Sequence, residues 1–222
     1  MIVQFRRVRD FSRVLFRGPG SLQIEQGDSE SLSVAAPGDV IESIKSSVTN
    51  GTLELGYQAG TIARLDIHQA QIEMKLVLRE LNHLTVAGSG SVDIKDLDTD
   101  QFGCRLMGNG QIIIQHLTAD HIRAQVEARG RIRVLGDVES QQAIVSGNSR
   151  YEAEELISDS ADIRMSDQSI AEIHVTDSLT ALVGGDSALG YVGYPEVMKQ
   201  GAGTIVRRRK QQSKSNRGSE HG

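Results

Sequence analysis

The sequence predicts an all-β protein, a β-solenoid of the parallel β-helix kind with coils of about 18–20 residues. Three observations carry this. Small tripeptides recur between residues 82 and 195: Gly88-Ser89-Gly90, Gly108-Asn109-Gly110, Ala128-Arg129-Gly130, Gly147-Asn148-Ser149, Asp167-Gln168-Ser169 and Gly185-Asp186-Ser187, at intervals of 20, 20, 19, 20 and 18. Apolar residues flank them at fixed offsets. Leu84, Cys104, Ala124, Ala143, Ile163 and Ala181 stand four positions before, and Val86, Leu106, Val126, Val145, Met165 and Val183 two before. Val92, Ile112, Ile132, Tyr151, Ala171 and Leu189 stand four after. The third observation is composition: 23 glycines and 4% aromatics suit many turns around small buried side chains.

Apolar residues at alternate positions mark a strand with one buried face. The corner residues reach turn conformations closed to bulkier side chains. A unit of two short strands cannot close a core by itself, so copies must stack and place like side chains in ladders. An antiparallel sandwich also yields short strands with regular turns. It gives no reason for the same positions to recur six times.

Residues 1–9 read as an N-terminal basic segment and residues 10–197 as the solenoid domain, with regular coils over 82–195. Residues up to 80 repeat the grammar loosely: Gly18-Pro19-Gly20 precedes Leu22 and Ile24, and Leu32 and Val34 alternate before Pro37-Gly38. Residues 40–47 are the one place for a helical turn. Val48, Asn50-Gly51 and Leu53 read as a strand pair about a tight turn, and Ile72, Met74, Leu76 and Leu78 as a strand. These are expected to be irregular first coils plus a cap. Alternation stops after Pro195, and residues 198–222 are expected to be a disordered basic tail, removable from residue 204 without harm to the body. Residues 1–17 carry net +4 and residues 204–222 net +5; with −5 overall, residues 18–203 hold −14.

Candidate chemistry is sparse. Cys104 falls on a core ladder with no histidine on its face, and one cysteine leaves the redox compartment open. Asp96, Asp98 and Asp100 alternate like a calcium loop but lack its glycine and closing glutamate (Gln101 and Met107 stand there). His68, His83, His116, His121 and His174 do not gather, so no metal and no cofactor is expected. One charged surface patch stands out: Arg129, Arg131, Arg133 and Arg150 beside Glu152, Glu154 and Glu172. It reads either as arginines and glutamates that balance each other across coils, or as the groove of a glycan-active enzyme. No apolar run is long enough for a membrane helix, and the arginines of residues 1–18 precede no apolar segment. The reading is therefore cytoplasmic by default, or export by a route not visible here.

The run Val86-Ala-Gly-Ser-Gly-Ser-Val-Asp-Ile94, the repeated corners and the ending Ser187-Ala-Leu-Gly-Tyr-Val-Gly-Tyr-Pro195 resemble a bacterial family, the putative auto-transporter adhesin, head GIN domain. Residues 11–26 and Val48-Thr-Asn-Gly-Thr-Leu-Glu-Leu55 are similar to its opening. The resemblance covers roughly residues 10–197. It implies a right-handed parallel β-helix-like fold, a role in surface adhesion and association with the cell envelope; it supplies no catalytic residues.

The leading expectation is a non-catalytic interaction module presenting a rigid charged surface to a protein or glycan. The alternatives are a glycan-active enzyme and a cytosolic scaffold in which copies join through open strand edges. The basic residues 207–210 are a candidate contact for phosphates of lipid or nucleic acid. Val126→Asp tests the alignment: Leu106 and Val145 would enclose an unpaired charge, and severe destabilisation is expected. A loss below about 1 kcal/mol in chemical denaturation, as at exposed positions, would place Val126 on the outside.

Overall fold

The computed structural model describes residues 1–58 and 71–209, and strands make up nearly all of it. The chain opens with β1 (Ile2–Arg6), β2 (Arg13–Arg17), β3 (Ser21–Gln26) and β4 (Ser31–Ala36). A single helical turn, α1 (Gly38–Ile41), follows; it buries Val40 and Ile41 and ends earlier than the expected 40–47 because β5 (Ile44–Thr49) takes over. β6 (Thr52–Tyr57) pairs antiparallel with β5 about Asn50-Gly51, the hairpin that the sequence marks. After β7 (Glu73–Leu78) the regular coils begin with β8 (His83–Gly88), β9 (Ser91–Asp98) and β10 (Gln101–Gly108).

The next strands, β11 (Gln111–Ala128), β12 (Arg131–Val145), β13 (Arg150–Met165) and β14 (Ile170–Val183), are long. Each runs along one sheet face, bends, and continues onto the other face of the following coil. β15 (Ala188–Val192), β16 (Glu196–Gln200) and β17 (Thr204–Arg207) complete the stack. Parallel pairing follows the repeat: Leu84, Cys104, Ala124, Ala143, Ile163 and Ala181 lie in register, as do Val86, Leu106, Val126, Val145, Met165 and Val183. Opposite them run Val92, Ile112, Ile132, Tyr151, Ala171 and Leu189. All of these ladder residues are buried, and together they fill the tube. Val126 is 0% exposed.

The corners carry a shared backbone demand. The first residue of each tripeptide has positive φ: 112° at Gly88, 128° at Gly108, 68° at Ala128, 77° at Gly147, 67° at Asp167 and 63° at Gly185. Such values put a Cβ near the following carbonyl, which is why glycine dominates. The third residue faces inward. At Gly110 a Cβ would lie 2.3 Å from the Gly90 carbonyl oxygen. In later coils Ser149, Ser169 and Ser187 stand there, buried, and the first two donate their hydroxyls to the carbonyls of Ser146 (2.6 Å) and Val145 (3.0 Å).

Three sequence expectations change. The first coils do not stack in chain order: β2 lies between β6 and β8, and β3 between β7 and β9. The basic segment 1–9 is not separate, because β1 pairs antiparallel with β4 and Arg6 donates to the carbonyls of Ile44 (2.7 Å) and Ile41 (3.2 Å). The solenoid does not end at 197. β16 pairs with β14 and β17 with β15, and Ile205 packs on the core. Alternation fails there because the last coil has a neighbour on one side only. Lys199 occupies the column of Ala181, and Arg207 that of Tyr191. The remainder of the expected tail, residues 210–222, lies outside the described residues.

Removing residues 204–222 therefore strips β17 from β15 and uncovers Leu189. Burial of one aliphatic side chain contributes about 1.5–3 kcal/mol, so the truncated protein is expected to lose roughly 2 kcal/mol in urea denaturation. An unchanged midpoint would mean that β17 adds nothing to the stack.

Candidate functional site

The charged patch assembles only in part. Arg131 and Arg150 stack in register, as do Arg133, Glu152 and Glu172. Arg131 pairs with Glu152 (2.6 Å), but Arg133 pairs with Glu155 (2.7 Å) rather than Glu154. The pairing of β12 with β13 shifts register between Arg133 and Gly136, opposite the stretch from Glu152 to Leu156, and Glu155 stands there within reach. Glu172 accepts from Arg208, beyond the expected end of the domain. Among the described residues, Arg129, Arg150 and Glu154 have no ion pair. Half-exposed pairs of this kind contribute roughly 0–1 kcal/mol each. Glu152 and Glu172 are held by guanidinium groups, while Arg129 and Arg150 leave the patch with unpaired positive charge.

The larger concave feature lies on the other face, along β8, β10 and the second halves of β11 to β14. It is a groove of about 1100 Å³ that crosses the coils. Two outward columns line it. Gln101, His121, Ser140, Ser160 and Ser178 are in register in one. Gly103, Arg123, Gln142, Asp162 and Thr180 form the other, extended by His83. Gly103 lets the groove dip: a Cβ there would lie 2.4 Å from His83 Nδ1. Burial, then Arg13 and Arg105, lower the pKa of the His83 imidazole, which favours the neutral ring.

Most lining groups are already oriented. His121 Nδ1 and Ser140 Oγ are 2.7 Å apart. Asp162 accepts from Gln142 (3.3 Å) and Arg164 (3.2 Å), while Glu127 accepts from Arg105 (3.0 Å) and Gln125 (2.7 Å). Arg123 is exposed and has no ion pair among the described residues.

The His121–Ser140 contact brings a base to a hydroxyl, yet no carboxylate among the described residues accepts from the other imidazole nitrogen. The surrounding backbone is committed to parallel pairing, leaving no pair of N–H groups for an oxyanion. The arrangement suits recognition by hydrogen bonds. No three His, Cys, Asp or Glu side chains among the described residues are grouped to hold a metal ion, and His68 lies outside those residues.

A family profile, the putative auto-transporter adhesin, head GIN domain, matches residues 10–195. The chain belongs to that family. Solved structures share the fold. A putative adhesin from Bacteroides fragilis superposes with a TM-score of 0.82 at 20% identity, covering 93% of this chain and 96% of that one. A putative lipid binding protein from Parabacteroides distasonis gives 0.76 at 20% identity, covering 95% and 96%. A putative adhesin from Parabacteroides merdae gives 0.70 at 14%, again covering 95% and 96%. None of the curated proteins compared with the chain matches it. No helix among the described residues is long and apolar enough to cross a membrane; the family's name points to the cell envelope.

Among the described residues the tube interior also holds a polar cluster around Gln141 that the sequence reading missed. Gln141 is buried; its amide donates to Ser158 Oγ (2.7 Å) and the His174 carbonyl (3.2 Å), and its oxygen accepts from Tyr151 (3.3 Å). Nearby, burial pushes the pKa of the Cys104 thiol from 9.0 up to about 12. The folded state therefore favours the neutral thiol. That contribution is complete below about pH 9 and is lost as pH rises towards 12. Native protein at pH 8 is expected to leave a thiol reagent unreacted while denatured protein reacts fully. Above pH 9, wild type should lose stability more steeply than Cys104→Ala; rapid native labelling would refute the buried placement.

Proposed function

We propose that this protein is a non-catalytic, adhesin-like interaction module of the cell envelope, and that it holds its partner in the groove. The observation that carries this reading is the in-register repetition of outward hydrogen-bonding side chains. A partner lying along the solenoid meets Ser, Gln, Thr and Arg groups at each step of about 4.8 Å. Family membership supports adhesion and envelope association. Glu152, Glu155 and Glu172 of the charged patch are already held by arginines, which favours the groove as the contact surface.

The open edge of β16, all of whose residues are exposed, favours a second reading, end-to-end joining of copies. Lys199 and Arg207 oppose it, since charged side chains on an edge strand discourage pairing with another chain.

Labelled protein tests the first reading on intact bacterial cells and on immobilised envelope polysaccharide. Ser160→Tyr fills the groove from an outward position and is expected to weaken retention about tenfold or more, since a filled site displaces contacts worth at least 1.4 kcal/mol. Replacing Glu152, Glu155 and Glu172 by Gln should leave retention unchanged. The opposite pattern would move the contact surface to the charged patch. Fractionation of the producing cell checks the envelope part independently.

A further inference from the structure

The groove is polar along its whole length but asymmetric in charge. Its middle holds Arg123, the groove cation without an ion pair among the described residues. Gly103, the neighbour in its column, has no side chain to cover it, and Gln142 on the other side is turned to Asp162. The His83 ring lies over Gly103, and beside it the Arg123 guanidinium is exposed to whatever enters the groove. Further along, Asp162 is already occupied, and the lining becomes hydroxyls: Ser140, Ser160, Ser178 and Thr180.

We propose that the groove recognises an acidic glycan, with Arg123 receiving a carboxylate or sulfate and the hydroxyl column receiving the sugar hydroxyls; this rests on the groove being the contact surface. Arginine presents a planar fork that matches two oxygens of an anionic group, and a charge-assisted pair is stronger than a neutral one. Glu80 and Asp100 place carboxylates at the His83 end of the groove, so the open cation in the middle, beside uncharged donors and acceptors, fits a chain that is mostly neutral and carries an acidic group at that point.

A peptide is served less well. Extended peptides gain affinity by adding a strand to a free edge and by filling side-chain pockets. The groove lies across strands whose backbone is used in the sheet on both sides, and its lining is polar. From Gln101 to Ser178 it crosses four coil intervals, about 19 Å at the usual strand spacing, which suits several sugar units in a row.

The test is calorimetric titration of the full chain with galacturonate oligomers, the same oligomers after reduction of their carboxyls, sulfated galactan oligomers and an acidic peptide. One or both acidic oligomers are expected to bind, with the reduced form about tenfold weaker or more. Arg123→Gln should lower acidic binding to the level of the reduced form, and Arg123→Lys should restore it only in part. Ser160→Tyr or Ser178→Tyr, whichever keeps the wild-type melting temperature, should abolish it. Equal binding of acidic and reduced oligomers, lost only when the groove is filled, would overturn the acid subsite and leave the groove reading standing. Binding that survives the filled groove would overturn both. No binding by any oligomer, or binding by the peptide alone, would overturn the glycan assignment.

Discussion

Every regular coil of this protein turns through a residue with positive φ, and that requirement shapes the rest. A residue with a side chain placed there costs about 1–2 kcal/mol relative to ordinary backbone. Glycine removes the cost in four of the six regular coils. Asp167 offsets it differently: its carboxylate accepts from the Gly147 N–H (2.9 Å) and the Ser166 hydroxyl (2.9 Å), which holds its pKa below the usual carboxylate value. Only with all corners at the same angle can the backbone ladder continue round the bend, as where Asn109 donates to Gly88 and Asn148 to Ala128. Identical corners keep the strands in register.

Register then sorts the side chains. Inward positions meet their equivalents one coil away, so Ile112 rests on Val92 and Ile132, and the core needs no large aromatic cluster. Outward positions obey the same rule, and there it produces the groove. Serines spaced by 20 and 18 residues in the chain, Ser140, Ser160 and Ser178, become neighbours in a line. The groove is the outer counterpart of the core ladders, built by the same spacing from polar residues.

The ladders were legible in the sequence because burial permits few residue types, and a column of Leu, Cys, Ala and Ile is recognisable at any offset. The groove was not. Ser, Gln and Thr are ordinary on any exposed strand, and the dip depends on Gly103 lying beneath His83, a contact between different coils. The charged patch drew attention because its residues are close in the chain, Arg129, Arg131 and Arg133 above all. Its pairing depended on a register shift between β12 and β13 that no local pattern marks. The last coil was missed because Lys199 and Arg207 break the alternation where a strand lacks an outer neighbour.

The stacking order of the first coils bears on how the chain is made. β2 and β3 are synthesised early, yet each rests between strands made later: β6 and β8 for one, β7 and β9 for the other. Until residue 78 has been made that coil has neither complete neighbour, and the second arrives only with residue 98. Pairings this distant must close long loops before they are rewarded, which slows folding. The N-terminal third therefore cannot wind up coil by coil during translation. It stays open for longer than the regular coils behind it, each of which can settle on the one just formed.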